Sequence, residues 1–324
     1  MRLLKLVPDD TNIDFLKWRK LASFMSFILV VVSIALVAVR GLNLGIDFVG
    51  GQSVHVEFTG DMPKIQDIRE AVGEIGLGEA TIQQFGSDKA VSIRTALPDG
   101  DKAAAEIAGQ KLVDGIRKAF PTAHTGAVET VSGKVSEELL RTGAISLALA
   151  MLGISIYIWI RFEWQFGVGA MGRLFHEVAL TFGFFAVTQI QFDLNSVAAL
   201  LTIVGYSLND TIVVYDRVRE NLKKYRKMEI VPLLNLSINE TLSRTVMTSV
   251  SVLMALAVLL IFGPDVIFGF TAAMLLGVFV GTYSSILMST PVLVWLKVGP
   301  HSFVPRTADG GAERVARSDD GAVV

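Results

Sequence analysis

Cysteine is absent from the 324-residue chain. That excludes disulfides and thiol chemistry, and any exported part must stand on its own core. An excess of one charge is missing too: 29 Lys and Arg stand against 31 Asp and Glu, a net charge of −2 with no basic tract. Nothing therefore offers the phosphate neutralisation that a nucleic-acid partner requires. No GxxxxGK[ST] occurs, which excludes ATP hydrolysis through a P-loop. Charged residues make up only 19% of the chain. What fills the space is apolar: 52% hydrophobic residues and a mean hydropathy of +0.53. This composition is that of a polytopic membrane protein.

Residues 1–20, with Arg2, Lys5, Lys17, Arg19 and Lys20, form a short basic segment before a first span at 21–40. A cleaved signal peptide has an apolar core of about 7 to 15 residues and a small-residue cleavage site. Here the uncharged run continues from Leu21 to Val39 and stops at Arg40, so an uncleaved span is expected.

Between 41 and 138 the composition turns polar. Gln52 to Phe58 alternates apolar and polar residues, and Ile65, Ile68, Val72 and Ile75 keep helical spacing. Thr81 to Phe85 and Val91 to Thr95 flank a turn at Gly86, Ser87 and Asp88. Lys102 to Phe120 follows as an Ala-rich helix, and Gly126 to Val131 as a last strand. The order β-α-β-β-α-β predicts a small α+β ferredoxin-like domain.

Five further apolar runs lie within 139–298, at about 143–160, 166–190, 194–215, 245–262 and 266–296, so six transmembrane helices are predicted. The last is long enough to tilt or to bend near Pro291. Basic residues gather before the first span, at Arg161, from Arg217 to Lys227 and at Lys297, whereas 190–195 and 263–265 have none. The positive-inside rule then places both termini in the cytoplasm and residues 41–138 on the far side of the membrane. Residues 299–324, rich in Gly, Asp, Arg and Ala, are expected to be a disordered cytoplasmic tail.

A carboxylate, Asp210, falls inside the fourth span. Insertion of an acid at that depth costs about 2.5 to 3.5 kcal/mol, which marks it for a partner or a task. Ser207, Asp210, Thr211 and Val214 share one helix face, which must look at protein or water. At about 1.5 Å per residue from the outer ends, Asp210 lies about 24 Å deep, Arg244 of the fifth span about 27 Å and Arg173 of the third about 25 Å. Either arginine could face the acid. Arg244 belongs to a stripe with Thr241, Thr248 and Ser251. A static ion pair that locks two helices and a gated proton site, in which a moving arginine makes the acid bind or release a proton, both fit this pattern.

Other patterns carry less. HEVAL at 176–180 opens like a zinc-protease motif, but Leu180 stands where the second histidine belongs, so no metal is expected. His176 and Glu177 remain secondary candidates beside Arg173. GVGAMG at 167–172 fits a dinucleotide fingerprint by letter, yet it lies in a span, where close helix packing explains it better. Gly277, Gly281 and Ser285 form a small-residue ridge, suited to packing or to a sliding interface. GIDFVGG places Asp47 among Gly45, Gly50 and Gly51 at the outer mouth, as a tight turn or a hinge. No nucleophile and base face each other in a recognisable pattern, and neither catalysis nor a cofactor is expected.

Taken together, GIDFVGG (45–51), GYSLNDTIVVYDRVRE (205–220), SRTVMTS (243–249) and GTYSSI (281–286), in this order and on these spans, resemble the SecF side of the SecD/SecF family, within the resistance-nodulation-division superfamily. The likeness covers residues 15–298. It implies a heterodimer with SecD in the bacterial inner membrane that uses the proton-motive force to complete export of unfolded preprotein. The SecY, SecE and SecG channel and YajC are the further partners it implies, besides the lipid bilayer. By position Asp210 and Arg244 match the acid and arginine associated with proton conduction, with Thr248, Ser207 and Thr211 around them. Two departures are visible: VSGKVSEEL (131–139) where Gly-Pro is usual, and His176-Glu177 where His-Asp is usual. A proton-coupled exporter of small molecules from the same superfamily is the alternative, although such chains carry two six-span halves.

Overall fold

The computed structural model describes residues 7–8, 11–78, 80–86, 89–98 and 102–299. The expected turn residues Ser87 and Asp88 and almost all of the C-terminal tail lie outside the described residues, as does most of the basic start of the chain.

Six helical segments are long and apolar enough to cross a membrane. The first is α1 (Arg19–Arg40), entered through a 3-10 turn at Phe15–Trp18 that Asp14 caps. After a short helix α2 (Ile46–Val49) comes a small α+β domain, the expected outer domain: β1 (Gly51–Phe58), α3 (Ile65–Glu74), β2 (Ala80–Gln84), β3 (Ala90–Thr95), α4 (Lys102–Ala119) and β4 (Ala123–Val131). Its four-stranded sheet is antiparallel in the order β2-β3-β1-β4, the ferredoxin-like arrangement. Val54, Val56, Phe58, Val91 and Ile93 point to one face and pack with Ile68 and Val72 of α3 and Leu112 and Ile116 of α4. The opposite face carries Ser53, His55, Ser92 and Arg94, and it rests on the mouth of the membrane bundle.

The chain returns through α5 (Gly133–Arg161), α6 (Trp164–Thr188), α7 (Leu194–Lys224), α8 (Ile230–Phe262), α9 (Phe268–Leu287) and α10 (Ser289–Trp295). α6 and α7 form the centre: over half of the apolar window of α6 is buried, against 6% for α5. On α1 the buried residues are Ser26 and Ser33, while Phe24, Phe27 and Val31 face outward. Ser33 lies so close to Gly183 of α6 that a Cβ there would collide with it. Small polar groups inside and large apolar ones outside are what lipid solvation selects.

α7 and α8 extend beyond the hydropathy runs at 194–215 and 245–262. The extra turns form an inner hairpin held by Leu222, Leu233, Leu234 and Ile238, and by Arg217 and Asn221, each 2.7 Å from Glu240 Oε2. The sixth crossing breaks between α9 and α10 at Met288. Pro291 has no N–H to give to Leu287, which ends the first helix one turn earlier.

Candidate functional site

α7 turns the stripe of Ser207, Asp210, Thr211 and Val214 into the bundle, and Asp210 is 5% exposed. Its Oδ2 is buried without a hydrogen-bond partner. Among the described residues it makes no ion pair with either arginine.

The engaged arginine is Arg173, on α6. Its Nε donates to Ser284 Oγ at 2.9 Å, Nη1 to the Ser207 carbonyl at 2.6 Å and Nη2 to the Gly281 carbonyl at 2.6 Å. Nη2 also pairs with Glu177 Oε1 at 3.0 Å, both side chains being essentially inaccessible. The same Oε1 accepts from Ser207 Oγ at 2.5 Å and Ser284 Oγ at 2.7 Å, whereas Oε2 has no partner. One guanidinium thus ties α6 to α7 and α9. Beside it, His176 Nε2 lies 3.1 Å from the Tyr283 hydroxyl, with Ser26 of α1 next to Tyr283.

Arg244 and Thr248 stand elsewhere. Both are on the exposed face of α8, where Thr248 Oγ1 donates to the Arg244 carbonyl at 3.1 Å. Thr241 turns inward and bonds to the Ser237 carbonyl, while Ser251 faces out with Arg244. The inward face of α8 is set by Thr245 and Ser249, the latter accepting from Thr282 of α9 at 2.8 Å. The chain alone does not bring the acid and Arg244 into an ion pair among the described residues.

On the glycine ridge of α9, a Cβ at Gly277 would collide with Ile203 of α7, and Gly281 faces Ser207 while offering its carbonyl to Arg173. Ser285 is buried and bonds within its own helix. Ser284, one residue along, is the hydroxyl that joins the charged cluster; sequence spacing alone did not single it out. In GVGAMG, Gly169 makes room for the Tyr215 hydroxyl, which donates to the Ser289 carbonyl. Among the described residues no group of His, Asp and Glu is arranged to hold a metal.

Where the small domain joins the bundle, Asp47 Oδ2 accepts from the Leu194 amide at 3.0 Å, so the GIDFVGG segment caps α7 together with Asp193. Gly45 passes against Gln191, and its amide donates to the Phe192 carbonyl at 2.8 Å. Gly50 and Gly51 have φ of +78° and +119°, and a Cβ at Gly51 would stand 2.7 Å from the Thr95 carbonyl. Only glycine suits that turn. Arg94 of β3 closes the joint by donating to the Leu44 carbonyl, to Asn43 Oδ1 at 2.7 Å and to Gln83 Oε1 at 2.9 Å. Burial holds the Arg94 guanidinium below its ordinary pKa.

Residues 112–299 match the family described as protein export membrane protein SecD/SecF, C-terminal, and residues 35–61 match the SecD/SecF GG motif. A protein translocase subunit SecF from Rickettsia bellii is 40% identical over 90% of this chain and 95% of its own length. The Rhodobacter capsulatus protein of the same name is 45% identical over 90% and 91%. The chain belongs to the SecF family of protein translocase subunits. Among solved structures, SecDF from Thermus thermophilus, titled a translocon-associated membrane protein, superposes with a TM-score of 0.81 at 33% identity over 89% of this chain. A SecDF in a super-membrane-facing form gives a TM-score of 0.63 at 31% identity over 92%. This chain spans 39% and 40% of those two SecDF chains.

Proposed function

We propose that the chain is the SecF half of a SecD–SecF pair that serves the protein translocase by using the proton-motive force to complete export of unfolded polypeptide. One observation carries this reading: Asp210 is buried within an apolar crossing helix, with a carboxylate oxygen that has no hydrogen-bond partner among the described residues. An acid there is retained for a task when no fixed partner satisfies it. Ser207 and Thr211 keep its surroundings polar, and Arg244 with Thr248 stands on the outward face at the same depth. Arg244 facing lipid would cost about 2.5 to 3.5 kcal/mol, so that face is assigned to membrane helices of SecD carrying polar or acidic groups.

Protonation of Asp210 removes a charge from α7 and changes its attraction to Arg173 within the chain and to Arg244 at the partner face. α7 then shifts against its neighbours. The shift reaches the outer domain through the Asp47 cap and the Gly50–Gly51 turn. Each charge crossing the membrane supplies about 2.3 kcal/mol per 100 mV, enough to bias a two-state arrangement. The basic residues at Arg161, Arg217–Lys227 and Lys297 support an orientation with both termini in the cytoplasm and residues 41–138 in the periplasm of a bacterial inner membrane. The SecY, SecE and SecG channel, with YajC as a further neighbour, is the proposed docking partner.

The test is release of a stalled polypeptide on the outer side, driven by a proton gradient without ATP, in membranes containing SecD. Asp210→Asn is expected to abolish gradient-dependent release while the complex still assembles. Normal release from that assembled variant would return Asp210 to a static role.

A further inference from the structure

Inside the bundle, one positive charge is buried together with two acids. Arg173 and Glu177 are 1% exposed and Asp210 is 5% exposed. The elements packed around them add no other charge at this level: α1 and α5 carry charged side chains only toward their ends, α9 and α10 carry none, and Arg244 of α8 is exposed. His176 and the hydroxyls of Tyr206, Tyr215 and Tyr283 are the remaining titratable groups. If both acids were ionised beside one guanidinium, the core would hold an uncompensated negative charge, a costly arrangement away from water.

Arg173 does not depend on Glu177 for its place. Two backbone carbonyls and the Ser284 hydroxyl hold the guanidinium, and the contact with Glu177 is a fourth. Glu177 in turn places all three of its bonds on Oε1 and leaves Oε2 bare. A proton can therefore come and go at Oε2 without breaking any bond at Oε1. Asp210 has the same bare oxygen, three residues along α7 from the serine that holds Glu177.

We propose that Glu177 is a second proton-carrying group of this chain and that Glu177 and Asp210 share one proton around the fixed charge of Arg173. When the proton leaves the Glu177 carboxyl, Glu177 becomes a carboxylate and Asp210 a neutral acid, so the core stays neutral in both states. By helical rise Glu177 lies about 20 Å from the outer end of its span and Asp210 about 24 Å, which makes Glu177 the outer member. The proposal rests on Asp210 being the coupling acid.

It is tested by infrared difference spectroscopy of the carboxyl C=O stretch on the full chain, assembled with its membrane partner in vesicles. The wild type is expected to hold one protonated buried carboxyl per chain at neutral pH, lost in E177Q and in D210N alike, because one acid beside one guanidinium stays ionised. E177D keeps an acid and is expected to shift the band rather than abolish it, which also serves if E177Q does not assemble. A wild type without the band, a band unchanged in E177Q, or one unshifted in E177D overturns the proposal. The two readings part clearly. If Asp210 is not the coupling acid, D210N retains gradient-driven release whatever E177Q does to the band; if Glu177 shares no proton, E177Q keeps the band that D210N loses.

Discussion

The outer domain and the membrane bundle of this one chain turn opposite kinds of side chain inward. In the domain, Val54, Val56, Ile93, Leu112 and Ile116 are fully or almost fully buried, while the charged residues of α3 and Glu106, Lys111, Asp114, Arg117 and Lys118 of α4 face out. Within the bundle, Ser26, Ser33, Arg173, Glu177, Ser207, Asp210 and Ser284 are buried while Phe24, Phe27 and Val31 face out. Water drives the first pattern by expelling apolar surface. Lipid supplies no such drive, so close approach and internal hydrogen bonds decide the second. A buried Val in the domain therefore reports packing alone. A buried acid in the bundle reports a bond that must be made, or work to be done.

The hardest blow to this contrast is Arg173→Met. Removing the guanidinium leaves Glu177 as a buried charge without its partner, and a loss of about 3 to 5 kcal/mol is expected in bundle unfolding measured in detergent. A value near zero would mean that the charged centre is not structurally engaged. Next, Leu112→Ala in the domain is expected to cost about 2 to 5 kcal/mol, read by native-state proteolysis. Phe27→Ala on the outward face of α1 should change stability by less than about 0.5 kcal/mol. Equal costs would erase the difference between the two regions.

An effect smaller than that of Leu112→Ala is expected at the joint. Asp47→Ala removes one of two caps on α7 and should cost about 1 kcal/mol, seen as faster amide exchange over Leu194–Val197. The smallest concerns pH. Burial lowers the His55 pKa from 6.5, although Glu129, Asp265 and Asp193 pull it back up, and the ring stacks on Phe85. A folded pKa below the unfolded one means that the unfolded state binds more protons in the window between them, so stability rises with pH there. The domain is expected to keep its full stability above about pH 6.5 and to lose part of it as pH falls through the folded value. His55→Gln should flatten that slope in thermal melts across pH.

Much of the architecture was legible because the two solvents leave different periods. Alternation along Gln52–Phe58 and helical spacing from Ile65 marked the domain, and long apolar runs marked the six crossings. The ends of α7 and α8 were not legible by hydropathy, since Glu240 with Arg217 and Asn221 holds helix that no apolar run announces. Spacing put Thr241, Arg244, Thr248 and Ser251 on one stripe, but the structure splits it: Thr241 turns inward, and with Thr245 and Ser249 packing inward, Arg244, Thr248 and Ser251 are left exposed. Likewise, the counting of depth left Arg173 and Arg244 level. Only the tertiary fold shows that Arg173 is the one locked inside, because its acceptors are backbone carbonyls and a serine, which have no distinctive signature in sequence.

The central claim is that the polar centre of the bundle couples proton movement to motion of the outer domain. Its most direct test is proton flux into sealed vesicles containing the SecD partner, under an imposed membrane potential, with wild type and Asp210→Asn compared at equal assembly. Flux is expected in the wild type and should collapse to the leak of empty vesicles in the variant. Equal flux in the two would contradict it and leave Asp210 a static member of the bundle.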